Sequence, residues 1–250
     1  MKSSATLLNA AALAVVVLSA GAAHGALALS LTGPSTQAYA NGGGSGFGGV
    51  LGPSTLSFGS SAGNLDITTN VTAGAFGSNL IIVMLDTRNG GVADFEMNDT
   101  ADGGRKGVSS PALNGNLLHP IGMSSYAAGA NGGVADFGLA IGNFGSVLFE
   151  LVPGTNLNFI AFNGAQNISL SLAALGSPST VDFFAYYTSD TQFLSNESLP
   201  ASAGLNGGPN PGFSPGNFSV DNFNRFLVPA PGAAGLLGLG GLIVGRRRRN

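Results

Sequence analysis

The residue types best suited to chemistry lie in one acidic segment, DFEMNDTADGG, at positions 94–104. Its carboxylate and amide side chains, all within nine residues, are Asp94, Glu96, Asn98, Asp99 and Asp102. Calcium prefers such oxygen ligands, although the spacing is not that of an EF-hand, which has a central glycine and a final glutamate. The segment is the best candidate for a calcium site, and apart from calcium the sequence predicts no cofactor. The alternative is a solvated loop whose Asp and Asn residues form their own turns and whose charge Arg105 and Lys106 neutralise.

Other catalytic groups are scarce. The chain has no cysteine, which excludes thiolate metal sites, iron–sulfur clusters, disulfides and cysteine nucleophiles. Of the two histidines, His24 lies in a predicted leader and His119 precedes a proline. A catalytic triad needs a histidine base beside its nucleophile, and no G-x-S-x-G motif presents a serine. We therefore interpret His119 as a surface-loop residue.

Paired carboxylates are the remaining route to an enzyme. Glycoside hydrolysis uses two carboxyl groups about 5–10 Å apart in a cleft. Asp94 with Asp136 is one formal pair, and Glu150 with Asp182 is another. Because general acid and base groups are so sparse, the sequence favours a protein that is not an enzyme, with an extracellular polysaccharide hydrolase as the alternative.

Aromatic side chains offer a second way to contact sugars. The chain has no tryptophan and four tyrosines, of which Tyr186 and Tyr187 are adjacent in a predicted strand. Neighbouring strand residues point to opposite faces, so one of these two rings should face outward, where it can stack on a sugar. The alternative is an ordinary half-buried strand aromatic.

Strand-like segments dominate the middle of the chain and must position these groups. They are short, rich in Val, Ile, Phe and Tyr, and bounded by Gly, Asn, Pro or Ser; they occupy residues 64–70, 79–86, 134–142, 146–151, 156–162, 167–172 and 180–187. The continuously apolar 79–86 predicts a central strand, and the alternation in 167–172 predicts a half-buried one. We predict an all-β fold, a single antiparallel β-sandwich of jelly-roll or immunoglobulin-like type, with long Gly-rich loops such as 39–53.

The charge distribution excludes one class of partner. Lys2 and the four arginines at 246–249 lie in the two end segments, which leaves four basic residues against twelve acidic ones in the middle. Binding to a nucleic acid requires a basic surface that displaces phosphate counterions. The sequence therefore predicts no nucleic-acid partner.

The N-terminus has the three parts of a secretory signal. Lys2 precedes an apolar run from Leu7 to Leu18 that is too short to span a bilayer, and small residues follow it. We predict a signal peptide over residues 1–25, cut by signal peptidase between Gly25 and Ala26. The alternative is an uncleaved anchor.

The C-terminus has the composition of a membrane anchor. From Phe226 to Gly245 there are 20 residues without a charge, and a helix of that length spans roughly 30 Å of hydrocarbon. The arginines at 246–249 would stay on the cytoplasmic side. The pattern predicts a C-terminal transmembrane helix.

Three ordered features make this tail resemble the PEP-CTERM sorting signal. They are the motif Val228, Pro229, Ala230 and Pro231, the Gly/Leu-rich stretch that follows it, and the cluster Arg246, Arg247, Arg248 and Arg249. The resemblance implies export across the inner membrane of a Gram-negative-type bacterium, at least transient membrane anchoring, cleavage near the proline motif by an exosortase, and delivery to the cell surface or extracellular matrix. Ala230 stands where the usual motif has Glu, which indicates a VPAPG-type variant. An ordinary single-pass anchor is the alternative.

A second resemblance concerns the middle of the chain. The segments NLIIVMLDTRNGG, ADFGLAIGN, SVLFELVPG and VDFFAYYTSDTQFLSNESLP follow the order of strands in a family of exported bacterial sandwich domains. Their layout is also similar to family-nine carbohydrate-binding modules and DOMON-type domains. The resemblance implies a sandwich with an exopolysaccharide as partner, and it transfers no sugar-binding residue.

These predictions divide the chain into four parts. They are a signal peptide (1–25), a β-sandwich domain (26–202), a Gly/Pro/Asn-rich spacer with a last strand (203–227) and a sorting signal with a transmembrane segment (228–250). We expect an exported surface or matrix protein with a structural or weak carbohydrate-binding role. The alternatives are the hydrolase and a calcium-stabilised adhesion module.

The leader generates the first prediction. The mature protein should begin near Ala26, because small residues follow a short apolar run. N-terminal sequencing or mass spectrometry of protein from a native envelope fraction checks this. An intact Met1 terminus would contradict it.

Overall fold

The structure is a computed structural model, and it describes only part of the chain. The described ranges are 35–40, 55–71, 76–92, 99, 101–109, 121–122, 135–152, 157–191, 193–199, 218–219 and 223–229, of which 35–40, 121–122 and 218–219 are described as backbone only. The predicted leader and the tail from residue 230 onward lie outside these ranges. Within them, no helix is both long enough and apolar enough to cross a membrane.

The first sheet has four antiparallel strands in the order β1-β2-β3-β9. These strands are β1 (Ser35–Ala40), β2 (Thr55–Ser61), β3 (Asn64–Thr69) and β9 (Asn167–Ser171). In β9, exposed residues alternate with buried ones, so the predicted half-buried strand is confirmed.

The second sheet has seven strands, and its main path is β11-β10-β4-β6-β7-β8. The strands are β4 (Asn79–Asp86), β6 (Phe137–Gly142), β7 (Gly145–Glu150), β8 (Asn158–Asn163), β10 (Thr180–Ser189), β11 (Leu194–Leu199) and β13 (Asn224–Leu227). Strands β11 and β13 both pair with the same edge of β10. Strand β13 pairs with the first half of β10, and β11 pairs with the second half. A separate parallel pair joins β5 (Ile121–Gly122) to β12 (Phe218–Ser219).

Strand β4 is central, as its apolar sequence predicts, and its bounds are those predicted. It pairs with β10 on one side and β6 on the other. Its side chains alternate between two cores: Ile81, Val83 and Leu85 belong to one, whereas Leu80, Ile82 and Met84 belong to the other. A strand covered on both faces must be apolar throughout.

The main core lies between the two sheets, so the predicted all-β sandwich is present. Phe58 of the first sheet stacks on Phe183 of the second with ring centroids 4.1 Å apart, and Phe226 lies 5.9 Å from Phe58. The order of the described strands differs from the immunoglobulin order, in which strands A, B, E and D form one sheet and C, F and G the other. Here the runs β1-β2-β3 and β6-β7-β8 remain consecutive meanders.

The outer face of the second sheet is covered by a short helix, α1 (Gly103–Ser109), where no helix was predicted. The helix is too short to display an apolar period, and Asp102 caps it by accepting a hydrogen bond from the Arg105 N–H at 2.8 Å. Gly107 permits close packing, because a Cβ there would lie 2.8 Å from methyl groups of Leu80 and Ile82. Tertiary packing thus outweighs the low helix propensity of glycine.

Strand β13 corrects the predicted start of the transmembrane span. Phe226 is only 2% exposed and belongs to the main core, so it is not a membrane residue. Arg225 forms a bidentate pair with the buried Asp182, at 2.6 and 2.9 Å. The N–H of Val228 also donates to the Ser179 carbonyl at 2.9 Å. The folded domain therefore extends to Val228, and the strand predicted within 203–227 is part of it.

This boundary generates the second prediction. A chain that ends at Val228 should keep its thermal midpoint, whereas a chain that ends at Asn222 should lose most of its stability. Removing a buried Phe costs about 3–5 kcal/mol, and leaving the buried Asp182 without Arg225 costs about as much. Together these approach the whole stability of a domain. Thermal unfolding followed by circular dichroism measures both variants, and equal midpoints would contradict the placement of β13.

Candidate functional site

A cleft of about 480 Å³ opens at the outer face of the second sheet. Four parts of the chain form most of it: the turn into β4 (77–80), the start of α1 (102–105), the β6–β7 hairpin (143–144) and the outer side of β7 and β8. Asp190, just after β10, completes its rim. Its volume lies in the range of about 300–1,000 Å³ typical of small-molecule sites.

Three phenylalanines line the cleft and remain exposed to solvent. Phe144 is 40% exposed, and Phe159 and Phe162 are each 57% exposed. Below them, Val147 and Phe149 of β7 are buried in the outer core and form the floor. Exposed aromatic rings gathered in one concave site are a feature of ligand-binding surfaces.

A bulge in β8 brings two of these rings to the same face. Residues 159 and 162 are three apart and would point to opposite faces of a regular strand. In the register with β7, Phe149 pairs with Phe159 while the next residue, Leu148, pairs with Ala161, so that Ile160 is an extra residue in β8. Bulges re-aim side chains in this way and are enriched beside functional sites.

Polar residues also line the cleft. They are Asp102, Asn143 and Asp190, whereas the Asn79 side chain forms a hydrogen bond with Tyr187, which belongs to the main core on the other face of the sheet. The backbone fixes their positions, because the Asp190 N–H donates to the Ser78 carbonyl at 2.8 Å and the Asn143 amide donates to the Gly77 carbonyl at 2.5 Å. Gly103 packs closely here, since a Cβ on it would lie 2.8 Å from the Asp190 Cβ.

Arg105 holds the segment around α1 against the sheet. Its Nη1 contacts Asp99 Oδ2 at 2.5 Å and donates to the Leu157 carbonyl at 2.9 Å. Its guanidinium lies over the Phe149 ring at 4.9 Å, and its Nε lies 3.4 Å from Asp102 Oδ2. This one side chain joins the helix to β7 and to the segment before β8.

These contacts bear on the predicted calcium ligands. Asp99 and Asp102 both pair with Arg105, as the alternative of a neutralised loop expects. The other three, Asp94, Glu96 and Asn98, lie outside the described residues. Within the described ranges, no group of three or more acidic or histidine side chains is arranged to hold a metal ion. The calcium site stays a prediction.

The carboxylates considered for hydrolysis belong to structural networks. Asp182 pairs with Arg225, and Glu150 accepts from Arg88 Nη2 at 2.5 Å, a hydrogen bond that lowers the pKa of Glu150. Asp136 is buried and accepts hydrogen bonds from the backbone N–H groups of Thr87 and Arg88 at 2.8 and 2.9 Å. Its proposed partner Asp94 and the loop residue His119 lie outside the described residues.

The prediction that Tyr186 or Tyr187 presents its ring to a sugar is wrong. The two rings do point to opposite faces of β10, but both faces are covered, and each ring is fully buried. The Tyr186 hydroxyl donates to the Gly107 carbonyl at 2.9 Å, which ties the sheet to α1. Burial raises the pKa of Tyr186 well above its ordinary value and that of Tyr187 to about 12.

Of the predicted sorting motif, Val228 and Pro229 lie within the described residues. Val228 packs against the main core, and Pro229 is exposed. Ala230, Pro231 and the arginines at 246–249 lie outside the described ranges. The start of the motif therefore overlaps the last described residues of the domain.

Sequence reasoning missed the phenylalanines, because strict alternation assigns Phe159 and Phe162 to opposite faces. The available signal was the composition of β8, Asn-Phe-Ile-Ala-Phe-Asn, an uncharged strand bounded by asparagines. The bulge that unites the two rings depends on the register with β7, which no local pattern encodes.

Comparison of the chain with protein-family models, curated proteins and solved structures finds no match. Function must therefore be argued from the residues of the cleft and from the sequence of the two ends.

The buried tyrosines generate the third prediction. In the native protein, Tyr187 should ionise only near pH 12, because its pKa is raised from an ordinary value of 10.0. Its neutral form thus contributes stability that is fully present below pH 10 and is lost as the pH rises through about 12. The difference in ultraviolet absorbance between wild type and Tyr187→Phe should appear near pH 10 in denaturant and only at about pH 12 in the native state. A native difference near pH 10 would mean that the ring is exposed.

Proposed function

We propose that this chain is an exported cell-surface or extracellular-matrix protein, processed by the PEP-CTERM and exosortase route, whose β-sandwich binds carbohydrate weakly through the cleft. The observation that carries the carbohydrate role is the wall of three exposed rings, Phe144, Phe159 and Phe162, facing a rim of carboxylates and amides. The protein acts by binding rather than by catalysis.

The aromatic and the polar residues of the cleft match the two kinds of surface on a sugar, which are its C–H faces and its hydroxyl groups. The face of an aromatic ring carries negative charge and attracts the C–H groups on one side of a pyranose. Carboxylate and amide oxygens accept hydrogen bonds from hydroxyls, and amide N–H groups donate them. Asp102 and Asp190 supply carboxylates in the lining of the cleft, and Asn143 supplies an amide.

A pairing edge for another strand is the competing explanation for exposed apolar residues on β8. Exposed apolar edge strands do recruit other strands. However, the bulge at Ile160 interrupts the regular ladder of β8, and bulges are one of the devices that protect edges from pairing. The bulge therefore supports a ligand site at this edge.

No specific observation favours the hydrolase. Asp102, which lines the cleft, serves as the helix cap and faces Arg105. The described acidic groups considered for hydrolysis are bound by Arg88 and Arg225.

The export route is supported by the sequence of both ends and by the position of β13. Val228, the first residue of the sorting motif, packs against the main core directly after β13. The uncharged residues 230–245 and the arginines that follow have the composition of a sorting and anchoring segment.

The aromatic wall generates the fourth prediction. In the full-length chain, Phe159→Ala and Phe162→Ala should each weaken binding to soluble oligosaccharides by about two- to tenfold, the value of one aromatic contact. The thermal midpoint should hardly change, because both rings are exposed. Ile160→Ala is the matched control, since Ile160 is also exposed on β8 but does not line the cleft. Isothermal titration calorimetry with soluble oligosaccharides measures the effect, and unchanged affinity in both Phe variants would refute the assignment of the site.

A further inference from the structure

The charges around the cleft are unequal. Its lining includes two carboxylates, on Asp102 and Asp190, and one cation, Arg105. The Asp102 side chain is 57% exposed, so its charge reaches the solvent in the cleft. The Asp190 carboxylate makes no ion pair or hydrogen bond with the described residues, although its backbone N–H is held by Ser78.

Arg105 offsets only part of this charge. Its Nε lies 3.4 Å from Asp102 Oδ2, but its guanidinium is also engaged by Asp99, by the Leu157 carbonyl and by the face of Phe149, and its side chain is only 21% exposed. The following Lys106 does not line the cleft. A ligand thus meets negative charge opposite the aromatic rings.

The wider charge of the protein has the same sign. Between the two end segments the chain has four basic residues and twelve acidic ones. A polymer rich in uronic acids or phosphate would be repelled by the chain as a whole and by the cleft in particular. A cationic polymer would be attracted to both.

We infer that the cleft selects cationic amino-sugar polymers, such as partly de-N-acetylated hexosamine chains, with the ammonium groups facing Asp102 and Asp190 and the pyranose faces on Phe159 and Phe162. This inference rests on the proposed function and names its ligand class. The arrangement meets both requirements of such a ligand, because aromatic faces attract cations as well as C–H groups. The rim carboxylates accept the ammonium hydrogens.

The test compares oligomers of equal length that differ only in charge. Glucosamine, N-acetylglucosamine and galacturonate oligomers are titrated into the full-length chain in mild detergent, at a pH where the amines are protonated. The glucosamine oligomer should bind most tightly, the acetylated oligomer more weakly and the galacturonate oligomer least. Rising salt should weaken only the first, because exposed charges are screened.

Matched variants separate charge from stacking. Asp102→Asn and Asp190→Asn should each reduce affinity for the glucosamine oligomer by about two- to fivefold, as expected for exposed ion pairs. Binding of the acetylated oligomer should not change. Asn caps helices as well as Asp does, so Asp102→Asn leaves α1 intact, and an unchanged thermal midpoint verifies this.

The outcomes are distinct. Equal affinity for the charged and acetylated oligomers, or no effect of the Asn variants, overturns the inference and leaves the proposed sugar site standing. Binding of none of the oligomers overturns both. A lysine oligomer that binds as tightly as the glucosamine oligomer shows that charge alone is recognised, and this overturns the assignment to a sugar.

Discussion

Burial of the central strands of the second sheet on both of their faces is the constraint on which the rest of the structure depends. The inner faces of β4 and β10 pack against the first sheet, and their outer faces pack beneath α1. A chain without disulfides must obtain its stability from such apolar contacts. Polar atoms caught inside need partners, and the Tyr186 hydroxyl finds one in the Gly107 carbonyl.

The packing of α1 on the outer face of the second sheet explains both the glycine at position 107 and the position of the cleft. A short helix can lie close to a sheet only where side chains do not intervene, and Gly107 provides that contact against Leu80 and Ile82. The cover does not extend across β8, so Phe159 and Phe162 remain exposed beyond its edge. Arg105 fixes that edge by binding Asp99 and stacking on Phe149. The cleft therefore lies where the helix α1 ends and strand β8 of the second sheet remains exposed.

Local sequence patterns predict the interior of this fold much better than its site. The apolar run of β4 and the alternation of β9 give those strands directly, because burial imposes a periodicity on the chain. No local pattern predicts strand β11, because its sequence, Leu-Ser-Asn-Glu-Ser-Leu, is largely polar, although Ser195, Glu197 and Ser198 are buried in the fold. The helix α1 and the bulge at Ile160 depend on contacts with distant strands. Since the cleft is built from these two features, it could not be located from sequence alone.

The pairing of β13 with β10 also has a mechanical meaning. Strand β13 ends at Leu227, which pairs with Thr180 at one end of β10, while Asp190 follows the other end of β10 and lines the cleft. Ten residues of strand separate these ends, roughly 33 Å at the usual rise per residue. Under the proposed function, a pull between an anchored tail and a polymer held in the cleft would run along this strand. Because β13 lies antiparallel to β10, such tension shears their hydrogen bonds together instead of opening them one after another. The bidentate bond between Arg225 and Asp182 lies within this short ladder and resists the same displacement.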